Sequence, residues 1–184
     1  MKQITLTFAF AIVTLFVVQS DQTRAVIRYE GYSGILPGNR LTQPQPRPCV
    51  REDLRIKEGE TDAAMGGVRE TPYIFTNVSS SACSLDGYPI VELLNRRGAV
   101  VRRASKQKSD EPAATATLAP GKTAEFNLYY NSGGAGHMGK PCPTYPKVRI
   151  LAPGMTKAFV LRSEIQSCPR TDFQVSSVRS GTPR

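Results

Sequence analysis

From Cys49 onward no window of the sequence sustains apolar residues at i, i+3 and i+4, whereas short segments of period two recur between clusters of Gly, Pro, Asn and Ser. That pattern confines the chain to an all-β fold, because side chains alternate between two faces along an extended backbone. The clearest case is Ala124, Phe126, Leu128 and Tyr130, which alternate with Glu125, Asn127 and Tyr129 and predict a strand with one buried and one wet face. The stretch Tyr73–Leu94 is the organising core, since two apolar runs flank a polar, cysteine-bearing crossing that must put them in register. Its first run, Tyr73–Val78, sets Tyr73 and Phe75 on one face against Ile74 and Val78 on the other, the mark of a central strand.

Further strands are expected at Asp53–Gly59, with Leu54 and Ile56 inward, and at Ile90–Leu94. The turn Asn95-Arg96-Arg97-Gly98 leads into a short edge strand over Ala99–Arg103. Val148 with Ile150, Phe159 with Leu161, and Phe173 with Val175 bring the count to about eight, within the seven to nine expected of a Greek-key or immunoglobulin-like β-sandwich. The segments Leu118–Phe126 and Leu151–Phe159 share Leu, Ala, Pro, Gly, Thr and Phe in register. Each reads as a type II turn, with proline presetting φ at one central position and glycine accepting positive φ at the next, so that one strand-to-strand problem is solved twice.

Ahead of this domain, Met1-Lys2-Gln3 precedes an apolar run from Ile4 to Val18 that only threonines interrupt. The pattern matches a secretory signal peptide, residues 1–20 or 1–25, with cleavage after Ser20 or Ala25. At about fifteen residues the run is shorter than the roughly twenty needed for a spanning helix, so no stable membrane anchor is expected after cleavage. Residues 26–48, with Pro37, Pro44, Pro46 and Pro48, read as a linker or N-terminal arm, residues 49–178 as the domain and 179–184 as a tail. The net charge of +9 favours anionic partners without naming one.

Four cysteines behind an export leader predict two disulfides rather than a metal site. If Tyr73–Val78 returns antiparallel to Asp53–Gly59, Cys49 ahead of the first strand and Cys83 beyond the second reach the same end. The hairpin around Pro153-Gly154 brings Cys142 and Cys168 together in the same way.

The series Cys49-Val-Arg-Glu-Asp-Leu54, Phe75-Thr-Asn77, Cys83-Ser-Leu-Asp-Gly-Tyr-Pro89 and Leu118-Ala-Pro-Gly121 resembles the motifs of the bacterial domain of unknown function 4232, from Cys49 to about Val178. The resemblance implies an exported, disulfide-bearing β-sandwich of the cell envelope, often held as a lipoprotein or behind a membrane helix, with no established activity. No cysteine lies between the leader and Cys49, so this chain has no residue for lipoprotein acylation.

No catalytic or cofactor motif emerges. Gly134-Ala-Gly-His-Met-Gly139 fits G-x-G-x-x-G, yet Pro141 and Pro143 deny it the helix that a dinucleotide site requires. His137 is the single histidine, so any Ser-His-Asp or Cys-His constellation must use it; a soft-metal site would draw on His137, Met138 and Met155. No cofactor, catalytic residue or metal ligand is assigned. Arg96, Arg97, Arg102, Arg103, Lys106 and Lys108 form a basic cluster that would concentrate positive charge on one hairpin edge. It reads either as protection of an edge strand or as a surface for an anionic polymer. Nucleic acid is disfavoured by the export leader and by the lack of stacking aromatics in the cluster. The expectation is a noncatalytic exported protein, periplasmic or extracellular, that serves as a binding or structural module for an envelope polymer or envelope protein. The alternative is a secreted hydrolase or a soft-metal or redox protein using the His137 loop.

Overall fold

The computed structural model describes residues 45–107, 115–133 and 141–181; the expected signal peptide and most of the Pro-rich arm lie outside them. Fourteen β-segments follow one another: β1 (Arg47–Pro48), β2 (Leu54–Glu58), β3 (Asp62–Ala63), β4 (Val68–Asn77), β5 (Cys83–Asp86), β6 (Ile90–Leu94), β7 (Val100–Arg103), β8 (Ser105–Lys106), β9 (Thr115–Leu118), β10 (Thr123–Asn131), β11 (Thr144–Leu151), β12 (Phe159–Gln166), β13 (Phe173–Val175) and β14 (Arg179–Ser180). Nine of them have four or more residues, and the other five have two or three. The fold is all-β, with helical turns among the described residues limited to Arg51–Asp53 and Met65–Gly67.

The segments form three sheets. One has four strands in the order β12-β11-β6-β7, a second runs β2-β4-β10-β13-β8 with β3 added to β4 and β14 to β10, and a third is β1-β5-β9. The longest pairing joins β4 to β10, antiparallel from Val68 opposite Asn131 to Thr76 opposite Thr123. β4 is longer than expected, and Val78 falls beyond its end, exposed. Tyr73, Phe75, Phe126 and Leu128 from the second sheet meet Val91, Leu93, Val148, Ile150 and Phe159 from the first in one core. Tyr73 stacks on Phe126 with centroids 5.4 Å apart, Phe75 lies 5.6 Å from Phe126, and Phe75 reaches across to Phe159 at 5.9 Å. These contacts make the first two sheets a pair of packed layers, the arrangement that buries one face of each.

At the open side between β2 and β12, the Glu58 carboxylate accepts hydrogen bonds from Ser163 Oγ (2.9 Å) and Tyr73 Oη (3.3 Å) and so ties the layers at their edges. Burial, reinforced by the Glu58 charge, pushes the Tyr73 phenol well above its ordinary pKa, so this hydroxyl stays protonated and remains a donor.

Both proline-glycine turns have the expected geometry. Gly121 and Gly154 share φ of +74°, a conformation that costs a side-chain-bearing residue. The amides of Lys122 and Met155 donate to the carbonyls of Ala119 and Ala152 at 3.0 and 3.1 Å. Their roles differ, however. The first carries the chain from β9 of the three-stranded sheet into β10 of another, and the second closes the β11–β12 hairpin.

Cys49 is bonded to Cys83 and Cys142 to Cys168, with β2 antiparallel to β4 and β11 to β12 as the pairing argument requires. Strand pairing also occurs on either side of residues 49–178. β1 lies in the supposed linker and pairs with β5 through Arg47 opposite Cys83, while Arg47 also bridges Asp53 at 2.6 Å. That bridge, with the Val50 amide, holds the Asp53 carboxyl down to about 2. At the other end Arg179 and Ser180, read as tail, pair with Glu125 and Ala124 of β10.

The wet face expected on β10 is largely covered. Glu125 and Asn127 are buried, because neighbouring strands bring polar partners over them. Arg179 pairs with Glu125, the Asn127 side-chain amide donates to Glu70, and Tyr129 Oη donates to the same Glu70 oxygen at 3.2 Å. A polar residue in a period-two pattern therefore marks the second face, not its exposure.

Candidate anion-binding surface

The β6–β7 hairpin carries four of the six expected basic positions. Its turn closes through the Asn95 amide on the Ala99 carbonyl and the Gly98 amide on the Asn95 carbonyl, both at 3.0 Å, which leaves Arg96 and Arg97 exposed at the tip. β7 is an edge strand, as expected. The chain then leaves this sheet: Ala104 donates to Val91, and Ser105–Lys106 joins the other layer beside Gln174 and Val175. The six cations accordingly do not share one hairpin edge. Lys106 sits 5.2 Å from the centroid of the Tyr88 ring, and Lys108 lies outside the described residues.

Arg102 has a structural task. Opposite the buried Leu93, it faces inward and places its guanidinium 4.8 Å from the centre of the Phe173 ring. It donates to Ser167 Oγ at 2.7 Å and to the carbonyls of Cys168 and Thr171. One side chain thus satisfies three acceptors in the segment around the Cys142–Cys168 bond, a use suited to the fork of five donors. Arg102→Gln is expected to destabilise the protein by about 2 kcal/mol, since it strands buried acceptors. A lowered urea midpoint at unchanged m would show this, and a change under about 0.5 kcal/mol would refute it.

Arg103 faces the opposite way, toward Glu92 directly across on β6. Arg149 of β11 lies on the other side of Glu92, also in register. Arg103 donates to Glu92 Oε1 through Nε (2.8 Å) and Nη2 (2.6 Å), and Arg149 donates to Oε2 through Nε (2.6 Å) and Nη2. Glu92 is only 3% exposed. Burial pushes its carboxyl up, but the hydrogen bonds and charges of the two arginines outweigh that and hold it below its ordinary value.

Three cations on this face, Lys147, Arg149 and Arg162, lie outside the basic cluster expected from the sequence. Lys147 and Arg149 alternate with buried Val148 and Ile150, and the hairpin sets Arg162 directly opposite Lys147. The alternation was legible as Lys-Val-Arg-Ile. The Lys147–Arg162 juxtaposition was not, because it depends on the register shift between Tyr145 and Lys147, where Pro146 cannot donate to the ladder.

Among the described residues there is no group of three His, Cys, Asp or Glu side chains able to hold a metal, and no helix long and apolar enough to cross a membrane. Met155, one of the soft-metal candidates, packs against the hydrophobic core. His137 and Met138 lie outside the described residues.

A family model for a domain of unknown function matches residues 49–182. No curated protein and no solved structure matches the chain.

Proposed function

The chain belongs to the DUF4232 family of domains of unknown function, and from that premise we propose that it is a noncatalytic, exported cell-envelope protein that binds an anionic envelope polymer. An envelope protein with an acidic surface is the second kind of partner this reading admits. Its two disulfides support an oxidising location, where such bonds persist. The observation that carries the binding role is the set of cations exposed on and beside the β6–β7 hairpin. Arg96 and Arg97 at its tip, and Lys147 and Arg162 on the neighbouring strands β11 and β12, have no carboxylate within ion-pair distance among the described residues. Exposed, uncompensated cations on a rigid scaffold attract polyanions over roughly a Debye length, about 8–10 Å at ordinary salt.

Retention of the protein on anionic envelope extracts is therefore expected to weaken steeply as salt rises from about 0.05 to 0.5 M, a range over which the Debye length shortens several-fold. Retention that ignores salt, or no retention at low salt, would overturn the electrostatic reading.

A further inference from the structure

The outer face of the four-stranded sheet holds an arrangement that folding alone does not explain. Lys147 and Arg162 stand directly opposite each other on β11 and β12, and like charges in that position destabilise a strand pair. Among the described residues neither has an ion-pair partner. The acids of this face are Glu92, occupied by two arginines, and Glu164, two positions beyond Arg162 on β12. Arg149 and Arg103 each use the Nε and Nη2 edge on Glu92, so each guanidinium plane is fixed while its Nη1 side points away from that carboxylate. The Arg103 side chain is 66% exposed and that of Arg149 41%, so both remain within reach of solvent.

We propose that this face, rather than the hairpin tip, binds a linear phosphate-bearing polyanion. Lys147 and Arg162 supply its unneutralised charge, Arg149 and Arg103 offer their second guanidinium edges, and Glu92 is the positioning residue that holds those two. The inference rests on the reading of the chain as a binder of an anionic envelope polymer and names the surface and ligand class. Strands lie about 4.8 Å apart, so cations on β12, β11 and β7 extend over roughly 14 Å, more than a single phosphate spans. A polymer meets them together. Phosphate suits the site because its tetrahedral oxygens can be shared between guanidiniums on different strands. The outward positions of these strands, among them Ile90, Glu92, Arg149, Val160 and Arg162, include no aromatic ring on which a nucleic-acid base would stack.

The test uses the full chain with long-chain inorganic polyphosphate as probe, beside phosphatidylglycerol vesicles. Lys147→Gln with Arg162→Gln is expected to weaken polyphosphate binding about tenfold or more and to flatten the salt dependence by one to two ions, as for the loss of two phosphate contacts. Arg96→Gln with Arg97→Gln is expected to change it less than about threefold, the screened effect of charges off the site. Glu92→Gln raises the net charge yet is expected to weaken binding, because the arginine planes are released; tighter binding would overturn its positioning role. Thermal unfolding of each variant separates lost binding from lost folding. If the tip pair abolishes binding and the face pair does not, this surface is wrong and the general reading survives. Salt-sensitive retention on envelope extracts without polyphosphate binding, or binding to vesicles alone, overturns the phosphate-polymer assignment. Absence of both kinds of binding overturns the assignment and the proposed function together.

Discussion

Phe126→Ala is expected to cost about 3–5 kcal/mol, the range for deleting a fully buried aromatic ring. Phe126 is the centre of an aromatic series that begins at Tyr73, passes through Phe75 and ends on Phe159 of the opposite layer. Removing it leaves a cavity where the two sheets meet, walled by strands β4 and β10 whose nine paired positions prevent collapse. Against a total stability of about 5–15 kcal/mol for an ordinary domain, that is a large share. The expected readout is a fall in Tm of about 10–15 °C. Phe126→Leu retains most of the volume and is expected to cost under about 1.5 kcal/mol. Equal losses for the two variants, or an alanine loss below about 1.5 kcal/mol, would show that this ring does not join the layers.

Replacing Cys49 and Cys83 together by Ala is expected to cost about 3–4 kcal/mol. The bond closes a separation of 34 residues, and the chain-entropy model assigns a loop of that length a little under 4 kcal/mol, acting through the unfolded state. Both sulfurs are buried, and the bond fastens the end of β1 to β5, so native packing is also lost. Chemical denaturation of the double variant beside the intact protein measures the effect. A loss below about 1 kcal/mol would mean that β1 and β5 hold together without the bond. Because Cys83 belongs to the three-stranded sheet and Cys49 directly follows its strand β1, whereas Lys147 and Arg162 belong to the four-stranded sheet, polyphosphate binding below the lowered Tm is expected to persist.

Much of the scaffold is legible in the residues themselves. Alternation places Phe126 and Leu128 inward, Pro120-Gly121 and Pro153-Gly154 specify two turns of the same form, and the order of strands and cysteines yields both disulfides. These follow from interactions local in sequence or from a single antiparallel return. The candidate surface is less legible. Arg102 and Arg103 are adjacent and chemically alike, yet one is drawn inward to Ser167 and Cys168 and the other outward to Glu92. Alternation alone says that they face opposite ways; it does not say which side holds acceptors. The wet face expected on β10 failed for the same reason, since Arg179 and Glu70, which cover Glu125 and Asn127, lie more than fifty residues away along the chain.

By itself the amino-acid sequence determined the all-β class, the inward set of the main strands, the two turns and the cysteine pairing, because period, proline-glycine chemistry and chain order carry that information over short distances. Tertiary structure alone decided that Ala104 passes the chain between layers, that Glu92 lies between Arg103 and Arg149, and that Lys147 opposes Arg162. Those outcomes depend on register between strands distant in sequence. A shift of one residue in a ladder turns every side chain to the other face, so a charge pattern becomes a surface only once the pairing is set.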